Sequence, residues 1–562
     1  MKDYLKILVL LKVVVLSAVL AMPAQDSLRD DSETEEPTVD YEVKENAGVE
    51  LATFSVNNNG EGTDITPGNG VCETANGNGV CTLRAAIGEA NVLAGDDVIN
   101  FDPGITSISV NGQIVITSNI TINGTGAGSL TIQNIATPSA TSRVFDITAG
   151  DTVIISNLTI SNGGVSTGDG GAIRTTGILT LNNCVIANNV NTGASSNGGG
   201  IRGNAGSIIN INNTVISNNR SANSGGLSFA GSDITVTNSA IRDNAATTGN
   251  GGGANIAAGS FVSISSTTIS GNTAVNSSGG LFITRGTLSN VTISGNTANG
   301  TAANGGGGAR IQAGANMVSF VACTITNNSA PNAATGARSG IWHETGTVNL
   351  SNTIVAANIA QDIQRDGTAV ITSVGFNLIG ENTSVTTEFP DGLPNGTNYV
   401  GTDASPLNPN LAPLSDNGGT GQTHPFLPDS IAVDKGNSFA LTTDQRGLTR
   451  PVDFAGRTNT AGGNGADIGA FEAQLVTVSG RVIESIDGGL IAHAIVYYTD
   501  SNGITHSVKT NSFGYFQFKN VESAQAYAFA AKAKHYSFLP LLVYVVSDTD
   551  GVIFTGMEPV PF

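Results

Sequence analysis

Residues 199–219 read GGIRGNAGSIININNTVISNN and contain three short elements that recur along the chain. The first is a glycine pair followed by an aliphatic residue, and the second is an alternating run around Ile209. The third is an aliphatic residue followed three positions later by asparagine, here Ile216 and Asn219. It recurs at intervals of 24 to 32 residues, with its asparagines at Asn189, Asn219, Asn244, Asn272, Asn296, Asn328 and Asn358. A period of this length is typical of a solenoid.

Each period matches one coil of a right-handed parallel β-helix, in which every strand pairs with the same strand of the next coil about 4.8 Å away. The recurring asparagine suits a turn column, because its amide can bond the backbone and it tolerates a left-handed φ. One coil buries roughly six aliphatic side chains at about 2 kcal/mol each. Its backbone loses roughly 30 kcal/mol of conformational entropy, so coils are stable only as a stack. We predict an all-β fold with a parallel β-helix over residues 107–385.

One segment of the N-terminal part departs from this pattern and predicts a helix. We expect it to begin at Thr82, whose side chain caps it, and to end at Ala94, before Gly95. Its apolar face comprises Leu83, Ala86, Ile87 and Ala90. A β-helix needs its open ends covered, so we expect this helix to cap the first coil.

The chain has four cysteines. Cys72 and Cys81 flank a loop rich in Gly and Asn, and either close a small disulfide ring, the interpretation that we favour, or remain two thiols. Cys184 and Cys323 lie in the repeats and are predicted to be small buried apolar residues. No Cys/His spacing in the sequence suggests zinc.

The N-terminus predicts export. Two lysines precede an apolar run from Ile7 to Leu20, and small residues follow it, so residues 1–24 are typical of a secretory signal peptide. The alternative is a membrane anchor, but Lys12 interrupts the run and it is shorter than the ~20 residues that span a bilayer. Residues 25–50 form a predicted acidic linker. We expect a secreted protein, extracellular or on the cell surface, without a transmembrane span in the mature chain.

Composition excludes one class of partner. The formal net charge is −20, with 24 basic and 44 acidic residues, and no basic tract is present. Such a chain repels a phosphate backbone, so we expect no nucleic-acid partner. Polysaccharides or other components of the cell envelope remain as predicted partners.

The C-terminal part, residues 476–562, has a different composition. Aromatic and alternating runs begin near Val478, Ala494, Asn511 and Ala526, and turn residues separate them. This pattern predicts a small β-sandwich.

Three stretches resemble known families. The motif CTLRAAI at 81–87 resembles the CSLREA domain, with Thr82 and Ala85 in place of the eponymous Ser and Glu. This domain usually follows the signal peptide of β-helical surface proteins, and the resemblance covers residues 51–106. The motifs GRV at 480–482 and TNSFGYF at 510–516 are similar to carboxypeptidase regulatory-like sandwiches, which are accessory modules rather than peptidases.

The third resemblance concerns residues 386–474 and the end of the repeats. The motifs GFNLIG at 375–380, DNGG at 416–419, AVDKG at 432–436, DQRG at 444–447 and DIGAFE at 467–472 resemble the choice-of-anchor Q domain. The resemblance implies display on a surface and implies no common catalytic activity.

A candidate ligand-binding face follows from the glycine-pair element. If its aliphatic residue points inward, the next residue points outward, so these residues form one ladder. The ladder comprises Arg174, Arg202, Ser228, Asn255, Phe282, Arg310 and Trp342. Arginine forks and exposed aromatic rings suit sugars, uronates or peptides; the alternative is tolerated surface variety.

A second charged set lies in the region that resembles the choice-of-anchor Q domain: Asp444, Arg446, Arg450, Asp467 and Glu472. We expect ion pairs, or a cation, to hold irregular backbone together there. Ca²⁺ would suit the carboxylates, but nothing in the pattern specifies it, so we predict no cofactor.

Catalysis is the rival hypothesis, because β-helices also form polysaccharide lyases and glycoside hydrolases. Hydrolysis needs clustered carboxylates, whereas Asp233, Asp243 and Asp362 are isolated from one another in the sequence. His343 is predicted to point inward. We therefore predict no catalytic residues and a non-enzymatic, adhesin-like or carbohydrate-binding display rod; a purely structural spacer is the third hypothesis.

Overall fold

The computed structural model describes residues 51–557, apart from gaps at 137–140, 149, 258, 260, 302–304, 333–337 and 486. The predicted signal peptide (1–24) and acidic linker (25–50) lie outside these residues. Within the described residues, no helix is long and apolar enough to cross a membrane.

The chain winds into a parallel β-solenoid of about nine turns, which confirms the predicted fold class. Three sheets run along it. Sheet A contains strands Ile114–Ile116, Phe145–Ile147, Ile173–Thr175, Ile201–Gly203, Leu227–Phe229, Ala254–Ile256, Leu281–Ile283, the first part of Ala309–Val321, the first part of Arg338–Ser351, and Gln361–Arg365.

Sheet B contains strands Thr53–Val56, Asp96–Phe101, Asn119–Asn123, Thr152–Ser156, Ile178–Asn182, Ile208–Asn212, Asp233–Thr237, the first parts of Phe261–Ser270 and Gly286–Ser294, the second parts of Ala309–Val321 and Arg338–Ser351, and Val370–Gly375. The parallel ladder therefore begins in the capping region, before residue 107.

Sheet C contains strands Ser107–Val110, Thr131–Asn134, Thr159–Ser161, Val185–Ala187, Val215–Ser217, Ala240–Arg242, the second parts of Phe261–Ser270 and Gly286–Ser294, Thr324–Thr326, Ile354–Val355, Leu378–Ile379 and Asn398–Val400. Strand Gly392–Asn395 pairs antiparallel with the last of these. A small fourth sheet contains Arg220–Ser221, Ala245–Ala246, Thr273–Ala274 and Thr297–Ala298.

The core forms because alternate residues of each strand point inward. In sheet B, Leu179 pairs with Ile209, and Ile209 pairs with Ile234, so equivalent aliphatic side chains stack from coil to coil. All three are fully buried. The glycine pairs mark the closest approach of successive coils: a Cβ on Gly226 would lie 2.6 Å from the carbonyl oxygen of Gly253.

The recurring asparagines form a buried ladder. In a typical rung, Nδ2 of Asn272 donates to Oδ1 of Asn296 (2.9 Å) and to the carbonyl oxygen of Ile241 (2.9 Å). The backbone N–H of Asn272 donates to the same Oδ1 (3.0 Å). The expected left-handed φ at these asparagines is wrong, since it falls on the preceding residue, as at Asn218 (55°). The preceding residue makes the turn, which leaves the ladder amide free to point along the stack.

The predicted capping helix is Leu83–Ala90, and Oγ1 of Thr82 accepts from the N–H of Ala85 (3.1 Å). Its predicted apolar face is buried against the first strands of sheets A and B. The helix ends four residues earlier than predicted, because the N–H of Asn91 closes it onto the carbonyl of Ile87 and a turn follows. The Cys72–Cys81 disulfide is present, and Cys184 and Cys323 are buried and unpaired as predicted.

Residues 402–474, which we call the strap, run back along the outer face of sheet C. Their contacts with it include the N–H of Ala470 with Oγ1 of Thr324 (3.0 Å) and Nε2 of Gln445 with Oγ1 of Thr268 (2.7 Å). Near the end of the solenoid these segments share a second apolar core, comprising Ile354, Leu378, Phe426, Phe454, Ile468 and Phe471, among others. The strap therefore closes one face of the β-helix.

The C-terminal part folds into two facing sheets around an aromatic core, as predicted. One sheet contains Leu475–Glu484, Tyr515–Glu522 and Thr549–Gly556, and the other contains Ile495–Thr499, Thr505–Lys509, Gln525–Lys532 and Leu541–Val545. The strand predicted from Asn511 begins only at Tyr515. Oδ1 of Asn511 accepts from the N–H groups of Phe513 and Tyr515, which makes this stretch a turn.

Candidate functional site

The predicted ladder on sheet A forms in one register. Each member pairs directly with the next, from Arg174 opposite Arg202 to Arg310 opposite Trp342. Asp146 precedes Arg174 in the same column, and Gln364 follows Trp342. The inward position of the preceding aliphatic residues, such as Ile201, sets this outward column.

In the first half of this column, the arginines are paired within the protein. Arg174 forms a bidentate ion pair with Asp146, with Nε and Nη2 at 2.8 and 2.6 Å from its two oxygens. Arg202 donates to Oγ of Ser228 (2.6 Å) and lies 3.7 Å from Asp169. Asn255 follows Ser228 in the register and is half-buried. Because each guanidinium already has a carboxylate, an anionic ligand would have to displace an internal pair.

In the second half, cations cover the aromatic rings. The guanidinium carbons of Arg310 and Arg338 each lie 4.4 Å from the ring centroid of Trp342, and Arg310 also lies 5.5 Å from that of Phe282. The indole N–H donates to Asp366 (2.7 Å). Trp342 is only 4% exposed. The prediction that this ring is open to a ligand is therefore wrong, because neighbouring charged side chains cover it.

Four carboxylates balance this face, and sequence reasoning assigned none of them to it: Asp146, Asp169, Glu344 and Asp366. Asp146 could have been found, since it lies one coil before Arg174 at the same position of the strand. The others sit beside turns or follow an irregular register, where the repeat pattern gives no positions.

The outer face of sheet B is different in kind. Two neighbouring columns on it carry mainly hydroxyl and amide side chains, and we call them the hydroxyl-amide face. One column comprises Thr121, Ile154, Thr180, Asn210, Thr235, Ser263, Thr287, Ser319, Asn349 and Thr372. The other comprises Asn123, Ser156, Asn182, Asn212, Thr237, Ser265, Ser289, Val321 and Ser351. Neither column contains a charged residue.

Hydrogen bonds between coils align these side chains. Nδ2 of Asn212 donates to Oδ1 of Asn182 (3.1 Å), and Nδ2 of Asn210 lies 3.4 Å from Oγ1 of Thr180. Most of these residues are partly exposed. The face is thus a regular polar array that repeats about every 4.8 Å along the rod.

The strap covers the outer face of sheet C from strand Ala240–Arg242 onward. Thr268, Thr292 and Thr324 are almost fully buried beneath it. Oγ of Ser294 lies 2.8 Å from Nε2 of His424, a strap residue. The covered part of this face has little surface left for a ligand, whereas the strands from Ser107–Val110 to Val215–Ser217 keep partly exposed outward residues.

The charged set of the strap forms the predicted ion pairs. Asp444 holds the backbone N–H, Nε and Nη2 of Arg446 at 2.6 to 2.8 Å. Arg450 pairs with Glu472 at 2.8 Å, and both side chains are completely buried. Arg450 also donates to the carbonyl oxygens of Gly469 and Phe471 (2.7 Å each), so it holds irregular backbone in place.

More carboxylates than cations are buried in this network. Burial raises the pKa of Asp467 well above its usual value, and the nearby charge of Glu472 raises it further. Burial also raises the pKa of Glu472, and raises that of Asp434 to about 7. Among the described residues, no group of three or more His, Cys, Asp or Glu is arranged to hold a metal ion. The contacts that the structure shows in this network are therefore ion pairs and hydrogen bonds.

His343 points into the solenoid, as predicted, and is fully buried. Neither ring nitrogen has a partner of hydrogen-bond geometry among the residues that the structure describes. Burial lowers the pKa of His343 to about 4, and the backbone of Thr345 and Gly346 offsets this only in part. A neutral imidazole inside the core contributes packing rather than proton transfer to a ligand.

Four carboxyls whose pKa is raised by burial do not form an accessible acid–base pair. Asp362, Asp434, Asp467 and Glu472 are all buried, away from the outer faces of sheets A and B. General acid–base catalysis requires a titrating group within hydrogen-bond reach of the substrate. Asp233 and Asp243 remain apart from each other, on sheet B and in the turn after sheet C respectively.

Comparison with known proteins adds no relative. No protein-family model matches the chain, and a search of curated proteins finds no match. The three family resemblances therefore stay predictions, and what the chain binds is inferred from its own geometry.

Proposed function

We propose that this protein is an exported, non-enzymatic rod that binds an extended, uncharged polysaccharide along the hydroxyl-amide face. One observation carries the proposal: two columns in register present hydroxyl and amide groups without a charge over about nine turns. Extended neutral sugars offer hydroxyl groups that both donate and accept, which is what such an array matches.

The other two faces support this assignment by their chemistry. The arginines of sheet A are neutralised by internal carboxylates, and the strap covers sheet C from strand Ala240–Arg242 onward. On sheet B the side chains are already aligned by their own hydrogen bonds, so binding costs little side-chain entropy. A net charge of −20 disfavours acidic polymers and leaves neutral ones as the preferred class.

A polysaccharide lyase is the alternative that sheet A would favour, since it carries arginines. A lyase base must be able to take a proton from the substrate, whereas Arg174 and Arg310 are held in ion pairs at 2.6 and 2.7 Å. A hydrolase needs two accessible carboxyls of different pKa, and the raised-pKa carboxyls described above are buried.

The test is a pull-down of the exported protein with insoluble cellulose, chitin and β-1,3-glucan. The double variant Thr180→Lys and Thr235→Lys places two bulky charges at the centre of the face, and we expect at least tenfold weaker binding. The matched control is Thr505→Lys with Ser507→Lys, two exposed positions on an edge strand of the C-terminal sandwich. It adds the same charge and should leave binding unchanged.

Three outcomes would contradict the proposal. Binding that survives the sheet B variant but is lost in Arg202→Ala, Arg310→Ala and Trp342→Ala would move the site to sheet A. Release of shortened chains or new reducing ends would identify an enzyme. Failure to bind any polymer in the panel or on a glycan array would favour a spacer.

A further inference from the structure

A cleft of about 440 Å³ opens where the strap meets the C-terminal sandwich. Its walls include Asp416 and Arg446 of the strap, Phe471 and Gln474 at the junction, and Asp548 of the sandwich. This volume lies within the ~300–1,000 Å³ of typical small-ligand sites, which often form at junctions between domains. It is separate from the hydroxyl-amide face.

Hydrogen bonds across the junction fix the walls of the cleft. The N–H of Gln474 donates to Oγ of Ser523 (2.9 Å), and the N–H of Ser523 donates back to the carbonyl oxygen of Gln474 (3.1 Å). Farther along the strap, Nη2 of Arg457 donates to the carbonyl oxygen of Ala524 (3.1 Å). A ligand would therefore meet a preformed site.

One wall presents a buried cation with a free donor. The side chain of Arg446 is only 6% exposed, and its guanidinium carbon lies 3.6 Å from the ring centroid of Phe471. Nε and Nη2 of Arg446 donate to the carboxylate of Asp444. Among the described residues, Nη1 has no hydrogen-bond partner and is the one nitrogen of this group left to donate to a ligand.

The opposite walls present acceptors and an apolar surface. One carboxylate oxygen of Asp416 accepts from the N–H of Gly418 (3.1 Å), and one of Asp548 accepts from the N–H of Thr477 (2.7 Å). Within the described part of the chain, no donor takes the second oxygen of either group. Leu475, which is 49% exposed, adds an apolar wall.

We propose that this cleft binds one or two units of a neutral pyranose sugar. A sugar hydroxyl can accept from Nη1 of Arg446 while others donate to Asp416 and Asp548, and the C–H face of the ring can cover Leu475. Two carboxylates at the rim disfavour an anion, and Nη1 of Arg446 is a donor that a sugar hydroxyl can accept from but a cation cannot use. This site would hold a short sugar or chain end, whereas the hydroxyl-amide face would hold an extended polymer.

The test is titration of the exported protein with glucose, galactose, mannose and N-acetylglucosamine. Calorimetry and saturation-transfer NMR measure the binding of each sugar. We expect saturable binding of at least one sugar. The double variant Asp416→Asn and Asp548→Asn keeps an oxygen for each backbone N–H but removes both charges, and should weaken binding at least tenfold. Leu448→Trp, at a second exposed leucine of the cleft, should block it sterically.

The matched control is Asp550→Asn, an exposed carboxylate on the strand after Asp548 that does not line the cleft. It should bind as the unmodified protein does. No saturable binding of any of the four sugars would overturn the proposal, as would equal binding by the cleft variants. Tighter binding of acetate or of lysine methyl ester than of the sugars would overturn the ligand class.

The two proposed sites are tested independently. The sheet B variant Thr180→Lys with Thr235→Lys should still bind the free sugar, and the cleft variants should still bind the insoluble polymer. Loss of both activities in one variant would indicate a folding defect, which circular dichroism of that variant would reveal.

Discussion

Replacing Asn272 by alanine should open the solenoid locally. This residue lies in the middle of the asparagine ladder and takes part in four side-chain hydrogen bonds of 2.9 to 3.0 Å. Its amide donates to Asn296 and Ile241, and its oxygen accepts from the N–H and the side chain of Asn244. Alanine removes all four and leaves the backbone N–H of Asn244 buried without a partner.

The expected cost follows from these bonds. At a net contribution of about 1 kcal/mol for each hydrogen bond, the substitution costs about 4 kcal/mol. Since each 1.4 kcal/mol is a factor of ten in an equilibrium constant, local opening should become roughly a thousandfold more frequent. The effect should concentrate in the coils around Asn244, Asn272 and Asn296, because stability in a solenoid is a sum over neighbouring coils.

Hydrogen exchange read by mass spectrometry measures this directly and does not require two-state unfolding. Peptides that cover residues 240–300 should exchange faster, and peptides from the C-terminal sandwich serve as an internal reference. Asn299→Ala is the matched control, because Asn299 is exposed and outside the ladder; it should change stability by less than about 0.5 kcal/mol. An acceleration below tenfold in Asn272→Ala would refute the role assigned to the ladder.

Three further predictions concern buried titratable groups and the cap. Folding lowers the pKa of His343 from 6.5 to about 4, so the free energy of unfolding should decrease as the pH falls from 6.5 through 4, by up to about 3 kcal/mol. In His343→Leu, chemical unfolding should show a weaker dependence of this free energy on pH. The pKa of Asp434 rises to about 7 from 3.8, so stability is lost as pH rises from 3.8 through 7. At pH 8, Asp434→Asn should therefore unfold at a higher temperature than the unmodified protein. Near pH 4 the two unfolding temperatures should be similar. Cys72→Ser should cost about 2–3 kcal/mol, because the disulfide closes a short loop with a separation of nine residues. Faster hydrogen exchange in Cys72→Ser, confined to the capping region, would confirm this cost. Unchanged hydrogen exchange in that region would contradict it.

Sequence alone predicted the features that the repeat dictates. Because strand residues alternate inward and outward, locating Ile201 in the glycine-pair element was enough to place Arg202 in an outward column, and the register agrees. The repeat also placed the asparagines in one column, and helical spacing with the capping residue Thr82 predicted the cap helix. These features depend on short sequence patterns, which are readable without knowledge of distant contacts.

Features set by turns and irregular segments could not be predicted in this way. Trp342 was placed on the correct side of its strand, but Arg338 and Asp366 cover it from positions where the strand register shifts. The path of the strap has no periodic signal at all, so its coverage of Thr268 and Thr292 is visible only in the structure. The positions of the sheet B columns follow from the same alternation. Thr and Asn are so common in this chain, however, that the sequence did not distinguish these columns from other surface positions.

The asparagine ladder ends on a residue of different chemistry, Asp362. The Nδ2 group of each asparagine donates a hydrogen bond to the side-chain oxygen of the next rung. The last rung must therefore accept this hydrogen bond without having an N–H group that itself needs an acceptor. Asp362 meets this requirement: one oxygen accepts from Nδ2 of Asn358 (2.8 Å), and the other accepts from the N–H of Glu381 (2.9 Å). The carboxylate of Glu381 in turn accepts from the N–H of Asp362 (2.9 Å).

This termination explains why a buried acidic residue stands at the end of the asparagine ladder. Burial raises the pKa of Asp362 to about 7, a cost that the three accepted hydrogen bonds only partly offset. An asparagine at 362 would instead present an amide donor to the backbone N–H of Glu381. The second column of sheet B runs from Asn123 to Ser351, and nine residues spaced by about 4.8 Å give it a length of roughly 40 Å with one apolar position, Val321. The carboxylate of Asp362 thus ends the asparagine ladder, whereas the solenoid itself continues through strands Val370–Gly375, Leu378–Ile379 and Asn398–Val400.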